Sequence, residues 1–327
     1  MQAIAVEHLT KQYEYSETQP GLWGSLKGLV KRERKIIPAV TDISFSLAEG
    51  ELVGFLGPNG AGKTTTLKVL SGILYPTSGS IQVLGHVPFE RSVPFRKQFA
   101  LVLGHKNQLW WDLPARQSIE LNKAVYEVPD KDFKRNLDEL SELLTLKDVL
   151  DVPVRKLSLG QRMKCELAAA LIHKPRVLFL DEPTIGLDVV AQKSLRDFIA
   201  AYNAEKNTTI ILTSHYMEDI SRLCKRVVII DRGVIVYDGL LSDLVRRFAH
   251  HKLLTLVFRG DGVRRADVEP YGEVVEFSPH QALLKVPRED VKTVASRILS
   301  SSLPVEDFLI HEMEVDDVIR MIFSRSG

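Results

Sequence analysis

The stretch that most restricts the fold of this chain is a glycine-rich run at 57–65. It reads Gly57-Pro58-Asn59-Gly60-Ala61-Gly62-Lys63-Thr64-Thr65, between a strand-length apolar run and a helix-like run. Glycines at this spacing let successive backbone N–H groups surround a polyphosphate, and the following helix directs its positive end at the same anion. The run therefore predicts a phosphate-binding loop with Lys63 on the β- and γ-phosphates and Thr64 on Mg²⁺. A glycine-rich turn without a ligand is the simpler alternative.

The overall composition argues against several classes of protein. The 43 Lys and Arg residues balance the 42 Asp and Glu residues to a net charge of +1, so no overall field attracts nucleic acid. The only cysteines, Cys165 and Cys224, lie in apolar runs and indicate a reducing compartment without disulfides. The start lacks a basic leader, and no apolar run reaches about 18 residues. We therefore expect a chain that is neither secreted nor membrane-spanning by itself.

The segments before the glycine-rich run predict a small antiparallel sheet. Residues 3–9 and 40–47 have the apolar content of strands. Between them, the segment 16–38 loses apolar periodicity and carries a cluster of cations, which predicts an inserted loop. Such a charged run is usually a solvated face, and contact with a membrane surface through neighbouring apolar residues is the alternative.

The segments after the glycine-rich run predict strands that end in polar residues. Apolar runs of strand length occur at 80–84, 99–103, 177–180 and 210–212. The third run leads into Asp181-Glu182-Pro183 and the fourth into Thr213-Ser214-His215. Because α/β sheets bind their ligands at the carboxyl ends of strands, these polar residues are candidate site residues.

Helical periodicity and a change of composition divide the chain further. Apolar residues recur at helical spacing from 115 to 150, and another helix follows Leu157-Ser158-Leu159-Gly160-Gln161. We therefore expect a helical subdomain at 115–173, inserted in an α/β domain of residues 1–250. Beyond it, four strand-like runs and two amphipathic helical patterns predict a small α+β domain at 251–327.

Taken together, five motifs resemble the nucleotide-binding domain of ATP-binding cassette (ABC) transporters, over roughly residues 3–245. They are the glycine-rich run, the pentapeptide 157–161, Leu180-Asp181-Glu182-Pro183, Gly186-Leu187-Asp188 and Ser214-His215. A phosphate loop alone leaves kinases and GTPases open, whereas the pentapeptide followed by a strand ending in Asp-Glu favours the cassette. The resemblance implies an α/β fold, a P-loop ABC ATPase core with an antiparallel β subdomain and an inserted helical subdomain. The chain is most similar to stand-alone cassettes that pair with a separately encoded exporter-type membrane protein.

The resemblance implies a role in ATP hydrolysis for each matching residue. Lys63 and the backbone of 57–65 would hold the phosphates, and Thr64 would contact Mg²⁺. Asp181 would hold the same ion through water. Glu182 would act as general base on the attacking water, a role usually worth ~10²–10⁴ in rate. His215 would contact the γ-phosphate and hold the water and Glu182 in place.

Other motif residues are expected to work between two subunits or on the adenine base. In the family, the residues matching Ser158, Gly160 and Gln161 close on the ATP of a second subunit, and the residue matching Asp188 crosses the same interface. We therefore expect a homodimer or a pair with a related ABC subunit, and one chain alone should be a poor ATPase. An aromatic residue commonly stacks on adenine, and Tyr13 matches that place best, with Tyr15 as the alternative.

One motif departs from the family pattern. In the family, the strand matching 99–103 leads to a glutamine that bridges Mg²⁺, the attacking water and the interface with the membrane partner. That place falls on His105, or on Gly104 with a one-residue shift, and the nearest glutamine is Gln108. A neutral imidazole donates from one nitrogen and accepts on the other, so His105 can take the role of the amide. A movement of Gln108 into the site is the alternative.

The sequence therefore predicts the ATP-hydrolysing subunit of an exporter. We expect ATP and Mg²⁺ as cofactors, a separate transmembrane permease as partner, and a peripheral location on the cytoplasmic face of the membrane. An importer ATPase is one alternative. A cassette ATPase acting on ribosomes or DNA is another, but the single cassette and the absence of a basic face make a nucleic-acid partner unexpected.

Overall fold

The computed structural model of the chain describes residues 2–16, 34–214, 216–248, 250–312, 315 and 318–319. Its contacts divide the chain into two compact units, Met1–Asp238 and Gly239–Gly327. The helix Leu241–Phe248 is therefore grouped with the second unit, whereas the sequence analysis placed the boundary after it, at 250.

The strands and helices have the following bounds. The strands are β1 (Gln2–Ser16), β2 (Arg34–Ala48), β3 (Leu52–Leu56), β4 (Ser78–Val83), β5 (Phe99–Leu103), β6 (Val177–Asp181), β7 (Thr209–Thr213), β8 (Arg226–Asp231), β9 (Val234–Leu240), β10 (His251–Phe258), β11 (Glu273–Ser278), β12 (Gln281–Pro287) and β13 (Val305–Glu312). The helices are α1 (Lys63–Leu70), α2 (Val93–Arg96), α3 (Ala115–Val125), α4 (Asp130–Leu143), α5 (Leu159–Leu171), α6 (Val189–Lys206), α7 (Met217–Leu223), α8 (Leu241–Phe248), α9 (Arg265–Val268) and α10 (Val291–Leu299).

The first unit is built on a six-stranded sheet in the order β5-β6-β7-β3-β8-β9. The pairs β5–β6, β6–β7, β7–β3 and β3–β8 are all parallel. Every residue of β3, β6 and β7 is buried, which explains why their sequences are continuous apolar runs rather than alternating ones. Because neighbouring strands run the same way, the ends of β3, β6 and β7 lie at one edge of the sheet.

A three-stranded antiparallel sheet in the order β2-β1-β4 forms the second layer of this unit. Its strands β1 and β2 are longer than the sequence predicts, because pairing continues through Tyr13–Ile37 to Ser16–Arg34. Residues 34–38, expected in the inserted loop 16–38, are therefore part of β2. The rest of that loop, 17–33, lies outside the described residues. The two alternatives for it, a solvated face and contact with a membrane surface, therefore concern residues that the structure does not describe.

The second unit contains a four-stranded antiparallel sheet in the order β11-β12-β10-β13. Side chains from β10, β12 and α10 form its core, among them Leu254, Leu284 and Ile298. The second predicted helix of this unit begins at Val315, but most of its residues lie outside the described part of the chain.

Among the helices in the described ranges, none is long and apolar enough to cross a membrane.

Candidate active site

The glycine-rich run connects β3 to α1 and lies in the first unit at the edge where the parallel strands end. Gly62, the residue before α1, has a φ of 108°, a conformation that side chains with a Cβ rarely adopt. A Cβ at Gly62 would lie 2.5 Å from the backbone oxygen of Ala39 on β2. The loop is thus held against the antiparallel sheet, and its glycines are required by the backbone there.

Lys63 is the buried cation of this loop. Its Nζ donates hydrogen bonds to the backbone oxygens of Gly57, at 2.6 Å, and Pro58, at 3.1 Å. Burial lowers the pKa of the Lys63 ammonium, while the charges of Glu182 and Asp181 act in the opposite direction. The ammonium therefore lies inside the curve of the loop, close enough to sense both carboxylates at the end of β6.

Thr64 and Asp181 meet although 117 positions separate them. Thr64 Oγ1 donates to Asp181 Oδ2 at 2.8 Å, and Thr213 Oγ1 donates to Asp181 Oδ1 at 2.7 Å. A hydroxyl and a carboxylate in contact are the oxygen donors that Mg²⁺ prefers, so these residues fit the ion expected there. Among the described residues, no group of three or more His, Cys, Asp and Glu side chains could hold a metal ion by itself. This donor set is suited to a metal that also uses phosphate oxygens and water.

Glu182 follows Asp181 in an unusual backbone conformation. Its φ is 55°, and its N–H donates to the backbone oxygen of Thr213 at 3.1 Å and to Thr213 Oγ1 at 3.0 Å. Non-glycine residues held in this region cluster at functional sites, because the surrounding contacts must compensate for the strain. Glu182 Oε2 lies 2.7 Å from His105 Nε2.

The 104–114 loop, which joins β5 to α3, closely approaches the end of β6. This approach explains the contact between His105 and Glu182. The Gly104 N–H donates to the backbone oxygen of Asp181 at 2.8 Å, and a Cβ at Gly104 would lie 2.1 Å from the backbone oxygen of Glu182. Gln108, the other candidate for this place, instead donates from Nε2 to the backbone oxygen of Leu101 at 3.1 Å. The structure thus puts His105, and not Gln108, against Glu182.

A buried polar network behind Glu182 was not found by sequence reasoning. The carboxylate of Asp219, which is fully buried, accepts hydrogen bonds from Thr184 Oγ1 and Ser214 Oγ at 2.6 Å and from Arg196 Nη1 at 2.9 Å. Beside it, a cavity of about 140 Å³ is lined by Glu182, Thr184, Ile185, Ser214 and Tyr216. The partners of Asp219 lie far apart in the chain, at 184, 196 and 214, so no local pattern indicates the network. His215, the expected γ-phosphate contact, lies outside the described residues.

The pentapeptide 157–161 forms the start of α5. Ser158 Oγ accepts from the Gln161 N–H at 3.2 Å, and Gln161 Oε1 accepts from the Ser158 N–H at 2.9 Å, a reciprocal cap that fixes the helix terminus. Asp188 caps α6 in turn by accepting from the Ala191 N–H at 2.8 Å. A Cβ at Gly160 would lie 2.9 Å from the Ala191 Cβ, so the two helix starts are close neighbours. The structure brings Ser158, Gly160, Gln161 and Asp188 together in one patch.

Tyr13 lies beside the phosphate loop. Its hydroxyl is 3.4 Å from Thr65 Oγ1, and the Lys11 Nζ is 5.3 Å from the centre of its ring. The residue remains 39% exposed, which leaves a ring face available to a ligand. The side chain of the alternative, Tyr15, lies outside the described atoms.

Comparison with family models identifies both units. The ABC transporter family model matches residues 40–185, and the model of the EvrA-like ABC transporter C-terminal domain matches residues 250–311.

Individual proteins and structures agree with these matches. The ABC transporter ATP-binding protein NatA of Bacillus subtilis is 33% identical over 212 residues, 65% of this chain and 86% of that protein. The Nod factor export ATP-binding protein I of Ralstonia nicotianae is 30% identical over 305 residues, 92% of this chain and 94% of that protein.

Two solved structures show the same fold. The ATP-binding subunit of an ABC transporter superposes with a TM-score of 0.63 at 26% identity, covering 75% of this chain and 93% of that one. A dimeric bacterial ABC transporter cassette gives a TM-score of 0.59 at 21% identity, covering 72% and 98%. The predicted fold is therefore confirmed. The chain belongs to the ABC transporter family, as one of its ATP-binding, ATP-hydrolysing subunits.

Proposed function

We propose that the chain binds ATP with Mg²⁺, pairs head to tail with a second cassette, and drives export through a separate transmembrane permease on the cytoplasmic face of the membrane. One observation carries the proposal. At a single edge of the parallel sheet, the structure brings together a buried cation at Lys63, the Thr64–Asp181 oxygen pair and the Glu182–His105 contact. These are the three kinds of group that phosphoryl transfer to water requires.

Each of these groups has one task in the proposed reaction. Lys63 stabilises charge on the β- and γ-phosphates, and Thr64 and Asp181 hold Mg²⁺, which neutralises phosphate charge when bound. Glu182 accepts the proton of the attacking water, and His105 orients that carboxylate. The buried carboxylate of Asp219 fixes Ser214, next to the expected γ-phosphate contact His215.

Export and a dimeric working form rest on the relatives. The Nod factor export protein matches nearly the whole chain, including the second unit. The capped helix starts at Ser158 and Asp188 lie in one patch, as required if both act on the ATP of a second cassette. The family matches at 40–185 and 250–311 support a cassette at 1–250 followed by an accessory domain at 251–327.

The 104–114 loop offers a surface for the permease. Trp110 is 57% exposed and Trp111 is 49% exposed. The loop is anchored beneath them, since the Trp110 N–H donates to Ser118 Oγ and the Arg155 N–H donates to the Trp111 oxygen, both at 3.0 Å. A rigidly held, exposed aromatic pair is typical of a protein interface. The same loop carries His105, so the surface is directly linked to the catalytic edge.

The double substitution of Trp110 and Trp111 by serine tests this surface. The chain should be co-expressed with a candidate permease, a membrane protein with six apolar helix-length segments, and the complex purified in detergent. We expect the variant to keep its own ATP binding and to lose co-purification with the membrane protein. Tyr75→Ser is the matched control, because Tyr75 is 55% exposed and lies outside this loop. Intact complex formation by the double variant would rule out the surface.

The adenine contact is tested by Tyr13→Ala with Tyr13→Phe as control. Stacking of a base on an aromatic ring is worth ~1–3 kcal/mol, so we expect Tyr13→Ala to raise the Kd for ATP by about 5- to 150-fold. Tyr13→Phe removes only the hydroxyl near Thr65 and should bind nearly as well as the wild type. Equal Kd values for the wild type and Tyr13→Ala, measured by titration calorimetry, would exclude the contact.

The roles of His105 and Gln108 are separated by the pH dependence of ATP turnover. His105→Gln should leave ATP binding intact and change the pH dependence of turnover, because an amide replaces the imidazole that contacts Glu182. Gln108→Ala should change turnover little, since its amide lies on the Leu101 oxygen. Matching profiles for wild type and His105→Gln, with a severe defect in Gln108→Ala, would transfer the role to Gln108.

A further inference from the structure

A buried carboxyl lies beneath the 104–114 loop, away from the proposed catalytic groups. The side chain of Glu166, on α5, is 1% exposed. The backbone N–H of Gln108 lies close enough to its carboxyl to act on it as a donor. Glu166 therefore connects the helix that begins next to Ser158 with the loop that carries His105 at one end and the exposed tryptophans at the other.

Arg162, one turn earlier on α5, faces the same carboxyl without a hydrogen bond. Its Nε lies 3.7 Å from Glu166 Oε1, and its guanidinium carbon lies 5.9 Å from the centre of the Trp111 ring. Arg162 Nε and Glu166 Oε2 are both buried, and neither has a hydrogen-bond partner among the described residues. Buried polar atoms are nearly always paired, and an unpaired one is costly. This loose contact is therefore poorly stabilised as an ion pair.

The surroundings of Glu166 favour its neutral form. Burial raises the pKa of Glu166 to about 7, while the Gln108 N–H and Arg162 act in the opposite direction. The Cys165 thiol is the other titratable group that acts with Glu166, and burial raises the pKa of that thiol to about 12, so it stays neutral. The Glu166 carboxyl thus changes between its protonated and ionised forms near neutral pH.

Within the described part of the chain, the other elements around α5 bring no competing charge to this carboxyl. Strand β5 contains no charged residue, and the buried side chains of α3 and α4 are uncharged. The buried charge of α6, Arg196, is paired with Asp219. The charged groups of the loop, Lys106 and Asp112, are exposed. Arg162 is therefore the charged side chain that responds when Glu166 loses or gains a proton.

We propose that Glu166 is a positioning residue for ATP turnover, which acts through the 104–114 loop and is controlled by its own protonation. As a carboxylate it holds the Gln108 N–H and Arg162 strongly, since hydrogen bonds to ionised groups are about twice as strong as neutral ones. As a carboxylic acid it releases Arg162 and loosens the loop. The proposal rests on the proposed function, because the loop affects turnover through the side chain at position 105 and through the tryptophan surface.

Intrinsic fluorescence gives a test that does not depend on activity. In a Trp23→Phe background the remaining tryptophans, Trp110 and Trp111, report on the loop. We expect their emission to change across neutral pH with a midpoint near 7, and to stay flat in Glu166→Gln, which fixes the uncharged form. His105→Gln is the matched control and should keep the midpoint. A midpoint that survives Glu166→Gln, or a wild type without one, would overturn the proposal.

Turnover provides the second test. In the His105→Gln background, which lacks the imidazole, we expect the pH profile of kcat at saturating ATP to show an inflection near 7 that Glu166→Gln removes, with KM unchanged. An inflection that persists in Glu166→Gln contradicts the proposal.

A measurement on the unaltered chain covers the case in which Glu166→Gln does not fold. Hydrogen exchange of the loop amides, corrected for the intrinsic effect of pH, should show more opening below pH 7 than above it. Equal opening on both sides would overturn the proposal. If the wild type neither binds nor hydrolyses ATP, the proposed function fails, whereas the fluorescence and exchange measurements still decide the role of Glu166.

Discussion

Glu182→Gln is expected to bind ATP and to hydrolyse it about 10²–10⁴ times more slowly than the wild type, the usual contribution of a general base. Glutamine keeps the shape of the side chain but accepts no proton from water. The left-handed backbone at this position, fixed by two hydrogen bonds to Thr213, does not depend on the carboxylate, so the site should remain folded. Single-turnover kinetics with ATP and Mg²⁺ measures the defect.

The same variant should accumulate the paired form, because ATP that is not hydrolysed holds two cassettes together. Size-exclusion chromatography with and without ATP checks this expectation. Glu142→Gln, an exposed carboxylate on α4, is the control and should behave as the wild type. Normal turnover by Glu182→Gln would remove this residue from the reaction, and a monomer in the presence of ATP would contradict the head-to-tail arrangement.

Lys63→Ala is expected to abolish most ATP affinity. The Lys63 ammonium is buried inside the loop, where the loss of hydration lowers its pKa. Bound phosphates would replace the lost hydration with direct electrostatic stabilisation of the ammonium. Removing one partner of a buried charge pair costs roughly 3–5 kcal/mol, or about 150- to 4,000-fold in Kd. Titration calorimetry measures the loss.

Lys68→Ala is the matched control for this substitution. Lys68 lies in the last turn of the same helix, α1, so it tests whether any loss of helix charge would have the same effect. Lys68→Ala should bind ATP like the wild type. Unchanged binding by Lys63→Ala would show that the glycine-rich run is not the nucleotide site.

The parts of this structure that sequence predicts well are those specified by neighbouring residues. The strand before 57–65, the helix after it and the strand β5 at 99–103 follow from apolar runs and glycine spacing, and the comparisons confirm the resulting fold. The ends of β1 and β2 were missed, because pairing across a polar segment is decided by the partner strand and not by local periodicity.

The missed parts of the site depend on distant contacts. The sequence placed His105 near the reaction by counting from β5, but it could not show that the Gln108 amide is bound to Leu101 instead. Nor could it find the Asp219–Arg196 pair or the Glu166 carboxyl under the loop. The residue type of an acid in a helix does not show whether its side chain is buried or exposed, because burial is decided by tertiary packing.

The Thr64–Asp181 hydrogen bond also bears on how the chain folds. It joins residues 117 positions apart, on either side of the whole helical subdomain. During synthesis, the glycine-rich run leaves the ribosome long before β6 exists, so the emerging chain has half of the metal site and none of its carboxylates. Contacts of such long sequence separation form slowly, because the closure of a long loop precedes any gain from it. ATP binds only after both halves of the site have come together. At a hundred times its Kd it therefore stabilises the folded state by about 2.7 kcal/mol, which makes the joining of Thr64 and Asp181 harder to reverse.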